Sequence, residues 1–272
     1  MSQLTIWRNR LRKFRDYPPA VVPFFKKYLF YNWVGDSYLP YYKDVTFLNY
    51  EETIESILTD GKSIVRFGDD VFDLLLGIGL YYNDWRQRYD PILAARLRDV
   101  LASRQAGLLV CFNPELILKN KAQFRAEGIS WQHQFWTHSR VYLKDYIHKD
   151  MAYGSALSFQ ERYNKSLPYD QLIKHLAGKH LIIVASNTAR FTGRQFGLTT
   201  DYVEGPKSDA WDQYADLYQQ VLNYAEQYPK EQVLIMTSLG PTSKVMVYDL
   251  VARGYTAWDT GQFFDLALKK IT

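Results

Sequence analysis

Residues 233–259 read VLIMTSLGPTSKVMVYDLVARGYTAWD. Val233 to Thr237 is an apolar run of strand length. Thr242 to Ala252 carries apolar residues at helical spacing, and Thr256 to Trp258 is a second short strand. A strand, a helix and a strand joined by short turns predict parallel pairing. The same alternation extends outward. Leu181 to Ala185 and Tyr202-Val203 are strand-like, and Asp209 to Tyr228 reads as a long helix. Leu108 to Phe112 and Ser63 to Phe67 are buried strands, and Pro91 to Ser103 is an amphipathic helix with Pro in its first turn. Glu51 to Leu58 reads as a helix, and Asp70 to Leu80 is apolar at helical spacing. The stretch from 113 to 178 is aromatic and irregular, with helical pieces. The expected fold class is α/β, a mostly parallel sheet flanked by helices.

Composition narrows the class. The chain has 272 residues, 47% hydrophobic and 23% charged, which excludes a disordered chain. With 15 Gly and 10 Pro, a collagen-like or low-complexity chain is also excluded. The lone cysteine, Cys111, excludes an internal disulfide and a cysteine-rich zinc site, and its apolar neighbours suit an inert core thiol. No run reaches the roughly 20 apolar residues of a membrane span, and no secretory leader is recognisable. A cytoplasmic protein is the expectation.

Charge is uneven. Residues 1–27 hold Arg8, Arg10, Arg12, Lys13, Arg15, Lys26 and Lys27 against Asp16 alone, a net of +6, while the whole chain is +4. Trp7, Phe14, Phe24, Phe25, Tyr28, Phe30, Tyr31 and Trp33 are interleaved with them. Basic plus aromatic residues over 1–33 suit peripheral contact with anionic lipid or an acidic protein. The alternative is an arm packed on the body, since Pro18, Pro19 and Pro23 break a long amphipathic helix. The rest of the chain is slightly acidic and has no recognition motif, so nucleic acid is not an expected partner. Residues 1–45 are read as this N-terminal segment and 46–272 as the main domain.

In parallel sheets, ligands gather at the carboxyl ends of strands. Arg66-Phe67-Gly68-Asp69-Asp70 offers a glycine for close approach and two carboxylates for a divalent cation, or for capping a helix. Ser238-Leu239-Gly240-Pro241-Thr242-Ser243-Lys244 opens a helix with hydroxyls and a lysine, which suits a phosphate. An ordinary turn capped by Thr242 is the other reading. The Walker spacing is absent. Asp259-Thr260-Gly261 offers a carboxylate for a ribose, a sugar hydroxyl or a metal. His133, His138 and His148 lack zinc spacing, and no Gly-x-Ser-x-Gly elbow or dinucleotide fingerprint is present.

Taken in order, these segments resemble the bacterial GT-D type glycosyltransferases, first catalogued as a domain of unknown function. The family's Arg-Phe-Gly-Asp-Gly-Glu strand is similar to Arg66-Phe67-Gly68-Asp69-Asp70-Val71. Tyr89-Asp90-Pro91, Ser139-Arg140-Val141-Tyr142, Ala189-Arg190-Phe191 and Pro206 to Trp211 follow in family order. Leu239-Gly240-Pro241-Thr242, Tyr248-Asp249-Leu250, Gly254-Tyr255 and Asp259-Thr260-Gly261-Gln262 complete the match. The resemblance covers roughly residues 50 to 265 and implies a Rossmann-like GT-D fold.

It further implies transfer of a hexose from a nucleotide sugar of the UDP-glucose type to a cell-surface glycan or glycoprotein. The family holds the donor diphosphate through an Asp-x-Glu motif and Mn2+, or Mg2+. Asp69 matches the Asp, whereas Val71 stands at the Glu and Gln262 at the terminal His. Asp70 is the substitute carboxylate, so Asp69 and Asp70 are the expected metal ligands. Asp69, Asp70 and Asp259 are the expected catalytic carboxylates. Arg66, Gly68, Arg190, Asp209, Gly240, Pro241, Thr242 and Lys244 are the expected donor-binding residues. The departures at Val71 and Gln262 leave a second expectation, a weakened or inactive relative that binds a sugar or a partner.

Overall fold

The computed structural model describes residues 11–68, 71–82, 84–160, 164–191, 197–261 and 263. The described strands are β1 (Thr46–Phe47), β2 (Ser63–Arg66), β3 (Leu80–Tyr81), β4 (Arg86–Gln87), β5 (Leu108–Phe112), β6 (Ala152–Ser155), β7 (His180–Ala185), β8 (Thr199–Glu204), β9 (Val233–Ser238) and β10 (Thr256–Asp259). The larger sheet has the order β1-β6-β5-β2-β10-β9-β7-β8, and β3 pairs with β4 in a separate antiparallel ribbon. The registered pairs of the larger sheet are all parallel. The α/β class expected from the alternating pattern is the observed one.

The chain falls into two compact units. The one that includes residues 48–66, 103–111 and 154–272 holds β2, β10, β9, β7 and β8. Its core is aliphatic: Ile64, Leu109, Leu181, Ile183, Leu234 and Met236 are buried with Trp258 and Phe263. Two-sided burial explains why these strands read as unbroken apolar runs. Asn49 caps the helix Tyr50–Leu58 with a full capping box, its side chain accepting from Glu52 N while Glu52 bonds back to Asn49 N.

The other unit comprises residues 1–47, 67–102 and 112–153. Its core is aromatic, with Phe67, Phe72, Phe112, Trp136 and Tyr153 buried together. Two buried ionic clusters fasten it. Arg140 is fully buried; it donates to Asp36 Oδ1 (2.8 Å) and to the carbonyls of Ile117 (2.7 Å) and Lys119. Asp73 accepts from Lys27, itself fully buried, and from Lys13 at 3.4 Å, with His138 Nε2 at 4.0 Å.

Two expectations change, while the expected break of a long helix at the prolines holds. Residues 18–43 run through consecutive short helical turns, from Pro18–Ala20 to Leu39–Lys43. Pro18 and Pro19 open a 3-10 turn and Pro23 lies in the first turn of Val21–Phe25, where a missing N–H costs nothing. Helix in the 70–80 region is limited to Val71–Leu75 and gives way to β3 at Leu80. The helix expected from Asp209 is split: Asp209, in the left-handed region (φ 53°), precedes a 3-10 turn at Ala210–Gln213, and Gln213, outside helical backbone (φ −111°, ψ 16°), precedes Tyr214–Ala225.

Burial opposes the Asp73 charge, but Lys27, Lys13 and His138 outweigh it and hold the carboxyl below its ordinary value of 3.8. The pair therefore stabilises the fold fully above that value, and the contribution is lost as pH falls through the lower folded value. Asp73→Asn leaves Lys27 buried and uncompensated. Urea unfolding at neutral pH is expected to show a loss of about 3–5 kcal/mol, and the variant's acid limb should be shallower than the wild type's.

Candidate functional site

In the unit holding β2, β9 and β10, parallel register brings the carboxyl ends of these strands level. Asp259 on β10 is opposite Thr237 on β9, and Trp258 is opposite Ile64 on β2. The Asp259 carboxylate is 3% exposed. Its Oδ2 accepts from the Arg66 backbone N (3.1 Å) and from Lys244 Nζ (3.0 Å). Lys244 is 5% exposed and also donates to the Gly240 carbonyl at 3.3 Å. One carboxylate thus ties the end of β2 to the helix that follows β9.

The Arg66 guanidinium lies over Gly261. A Cβ at Gly261 would stand 2.0 Å from Arg66 Nη2, and its φ of +51° is itself a conformation that favours glycine. Arg66 Nη1 donates to the Ala156 carbonyl (3.2 Å), while its buried Nε has no partner. The floor is laced together. Thr260 donates through N (3.0 Å) and Oγ1 (3.2 Å) to the Thr237 carbonyl, and Ser238 Oγ donates to the Gly261 carbonyl at 2.9 Å.

The helix Pro241–Ala252 begins beside this cluster. Gly240 is its N-cap, with φ 59° and ψ −131°, backbone that glycine tolerates best, and Pro241 is the first helical residue. Thr242 does not cap the helix. It is fully buried in the first turn, and its Oγ1 has no partner. Ser243 Oγ instead accepts from Leu239 N at 2.6 Å. The first N–H groups of any helix lack partners within it and carry its positive dipole end, and no acidic residue stands in this first turn.

Neighbouring strand ends supply further residues. Gly205 lets the loop after β8 close on Leu239, for a Cβ there would meet Leu239 Cδ1 at 2.8 Å. Asp209, 8% exposed, opens the turn Ala210–Gln213. Arg190 lies in the turn Thr188–Phe191 after β7, and Thr188 Oγ1 donates to Glu204 Oε2 at 2.7 Å. Cys111 is opposite Arg66 and fully buried; burial drives its thiol pKa far up, so it stays neutral, as a core thiol should.

Of the expected residues, Arg66, Asp259, Gly240, Pro241, Thr242 and Lys244 are thus brought together. Gly68 is in the loop two residues beyond β2. Asp69, Asp70, Gln262 and the side chain of Arg190 lie outside the described residues, and Val71 is buried at the start of the helix Val71–Leu75. Gly261 and Ser238, which the candidate loops contain without a role of their own, and Ala156 are the additions. A glycine two places after a strand-end aspartate was the available signal for the first.

The donors described do not suit a divalent cation. Asp259 is already paired with an ammonium group, Val71 is apolar, and among the described residues no three His, Cys, Asp or Glu side chains cluster. What the geometry offers is cationic and N–H donors converging at the end of a parallel sheet, an anion-binding arrangement of the kind used by nucleotide-handling α/β enzymes.

Residues 64–265 match the family model of the glycosyltransferase GT-D fold, and the chain belongs to that family. It is 32% identical over 241 residues to the probable glycosyl transferase Gly of Streptococcus gordonii, covering 82% of this chain and 32% of that protein. It is 26% identical over 224 residues to glycosyltransferase GlyD of Streptococcus pneumoniae, covering 78% and 26%. The chain therefore spans a third or less of these relatives. A solved structure described as a new glycosyltransferase from Streptococcus sanguinis aligns with a TM-score of 0.65 and 27% identity over 80% of this chain and 82% of that one. Another, described as domain of unknown function 1792 with a distinct glycosyltransferase fold, aligns at 0.68 and 23%, over 84% and 82%, a likeness of fold.

Lys244→Met removes one partner of a buried ion pair and is expected to lower unfolding free energy by about 3–5 kcal/mol. The double variant Lys244→Met/Asp259→Asn, which leaves no unpaired charge, should recover much of that loss. Paired urea titrations of both variants check this.

Proposed function

We propose that this chain transfers a hexose from a nucleotide sugar of the UDP-glucose type to a glycan or glycoprotein acceptor. The carrying observation is that Asp259 joins the Arg66 backbone N–H and the Lys244 ammonium at the carboxyl ends of β2 and β10, beside the helix Pro241–Ala252, with the Arg66 guanidinium over Gly261 and Arg66 Nε and Thr242 Oγ1 buried and unpartnered. A buried donor without a partner costs free energy. A diphosphate oxygen is the acceptor that would satisfy these groups.

Transfer breaks the bond between the anomeric carbon and the diphosphate oxygen, and the bonding pair stays on that oxygen. The helix N–H groups, Arg66 and Lys244 meet this growing charge, and they are positioned before the reaction by Asp259, Ala156 and Gly261. The acceptor hydroxyl oxygen forms the new bond to the anomeric carbon and gives its proton to a base. Asp259 is committed to Lys244, so we assign it to positioning and assign the base to Asp69 or Asp70 of the motif. Asp209 and Arg190, on the loops after β8 and β7, are proposed to hold the nucleoside end, and Gly68 to leave room for the sugar.

Cations and helix donors then replace much of what Mn2+ does in the Asp-x-Glu form of the motif, with Asp69 and Asp70 as the ligands of any metal that binds. Val71 in place of the motif's Glu also supports the second reading, a relative that binds donor without turning it over.

Calorimetry with UDP-glucose is expected to show binding in EDTA, strengthened only slightly by Mn2+. Absence of nucleotide binding in both conditions would overturn the transferase reading. Arg66→Gln is expected to lower kcat about 100-fold with the melting temperature nearly kept. Donor binding without turnover by the wild type, across glycan and glycopeptide acceptors, would select the binding-protein reading.

A further inference from the structure

The helical stretch Val21–Val34 is turned inside out. Over Val21–Val34 its buried side chain is a lysine, Lys27, bonded to Asp73, with Lys13 on the same carboxylate. Phe24 is half-buried among aromatic rings, but five large apolar side chains point outward. Val22 is 72% exposed, Phe25 53%, Leu29 71%, Phe30 48% and Trp33 79%. Val22, Phe25, Leu29 and Trp33 recur at intervals of three, four and four, with Phe30 beside Leu29, so they form one row along the segment. Single exposed apolar residues are ordinary, but a contiguous row marks an interaction surface.

The charges beside the row identify what covers it. Lys26 is exposed within it, and the side chain of Arg15, paired with Asp16 at 2.9 Å, is 72% exposed near its start. Over residues 1–35, Asp16 is the sole acidic residue against seven basic ones. The row stands out from a helical surface, which suits a deformable phase. Trp33 with Tyr28 and Tyr31 gives the mixed apolar and polar aromatic content found at bilayer interfaces. No helix among the described residues is long and apolar enough to cross a membrane. We propose that the Val22–Trp33 face lies in the headgroup boundary of an anionic bilayer, with Lys26, Arg15 and Arg12 on the lipid phosphates and Lys27 kept inside as the anchor to Asp73. This surface is independent of the sugar-transfer reading, because it is tested with no donor or acceptor.

The test is co-sedimentation of the whole chain with phosphatidylcholine vesicles, with and without phosphatidylglycerol. Binding is expected to be at least about ten-fold tighter on the anionic vesicles and weakened by salt. Leu29→Glu/Trp33→Glu should lower it about 100-fold or more while the circular dichroism melt is kept. Should that pair fail to fold, Leu29→Ser and Trp33→Ser made singly are each expected to weaken binding about ten-fold. No sedimentation of the wild type with anionic vesicles overturns the proposal, as does undiminished binding by folded variants. Velocity sedimentation gives the remaining outcome: a wild-type dimer that the Glu pair converts to monomer, without vesicle binding, overturns it in favour of a second copy of this chain.

Discussion

The buried pair between Asp259 and Lys244 sets the geometry of the candidate site. Two charges this far from water are stable only where each is neutralised and hydrogen-bonded. Asp259 meets that condition through the Arg66 N–H, and Lys244 through the Gly240 carbonyl. The same bonds therefore join the end of β2 to the start of the helix after β9. Gly261 completes the arrangement by making space for the guanidinium.

The site is consequently rigid where it is cationic. Thr260 and Ser238 tie the ends of β9 and β10 to each other beside the Asp259–Lys244 pair. Such fixed dipoles stabilise developing charge better than water, which must reorganise. Arg66 Nε and Thr242 Oγ1 carry the cost of this arrangement in the free protein.

Much of the fold was legible because strands buried on both faces and helices buried on one have different apolar periods. Leu181 to Ala185 and Val233 to Thr237 could be read within a residue of their observed bounds. β1, β3 and β4 were not, since two-residue strands have no period. The loops around Arg66, Gly240 and Asp259 were legible from strand ends, and their order carried the family resemblance. That Lys244 faces Asp259 was not, because the contact depends on the register of β9 against β10. The inward lysine at 27 was equally hidden, for its partner lies 46 residues away.

The strand order has a consequence for biosynthesis. β10 is the last strand described, yet it lies between β2 and β9. The Arg66–Asp259 bond spans 193 residues. During translation β2 therefore waits, its inner edge open, until residues near 256 have left the ribosome. Parallel pairing over such separations is slow, and an open apolar edge invites wrong partners. A nascent chain stalled before Thr256 would carry two incomplete half-sheets, which makes it a natural client for a holding chaperone.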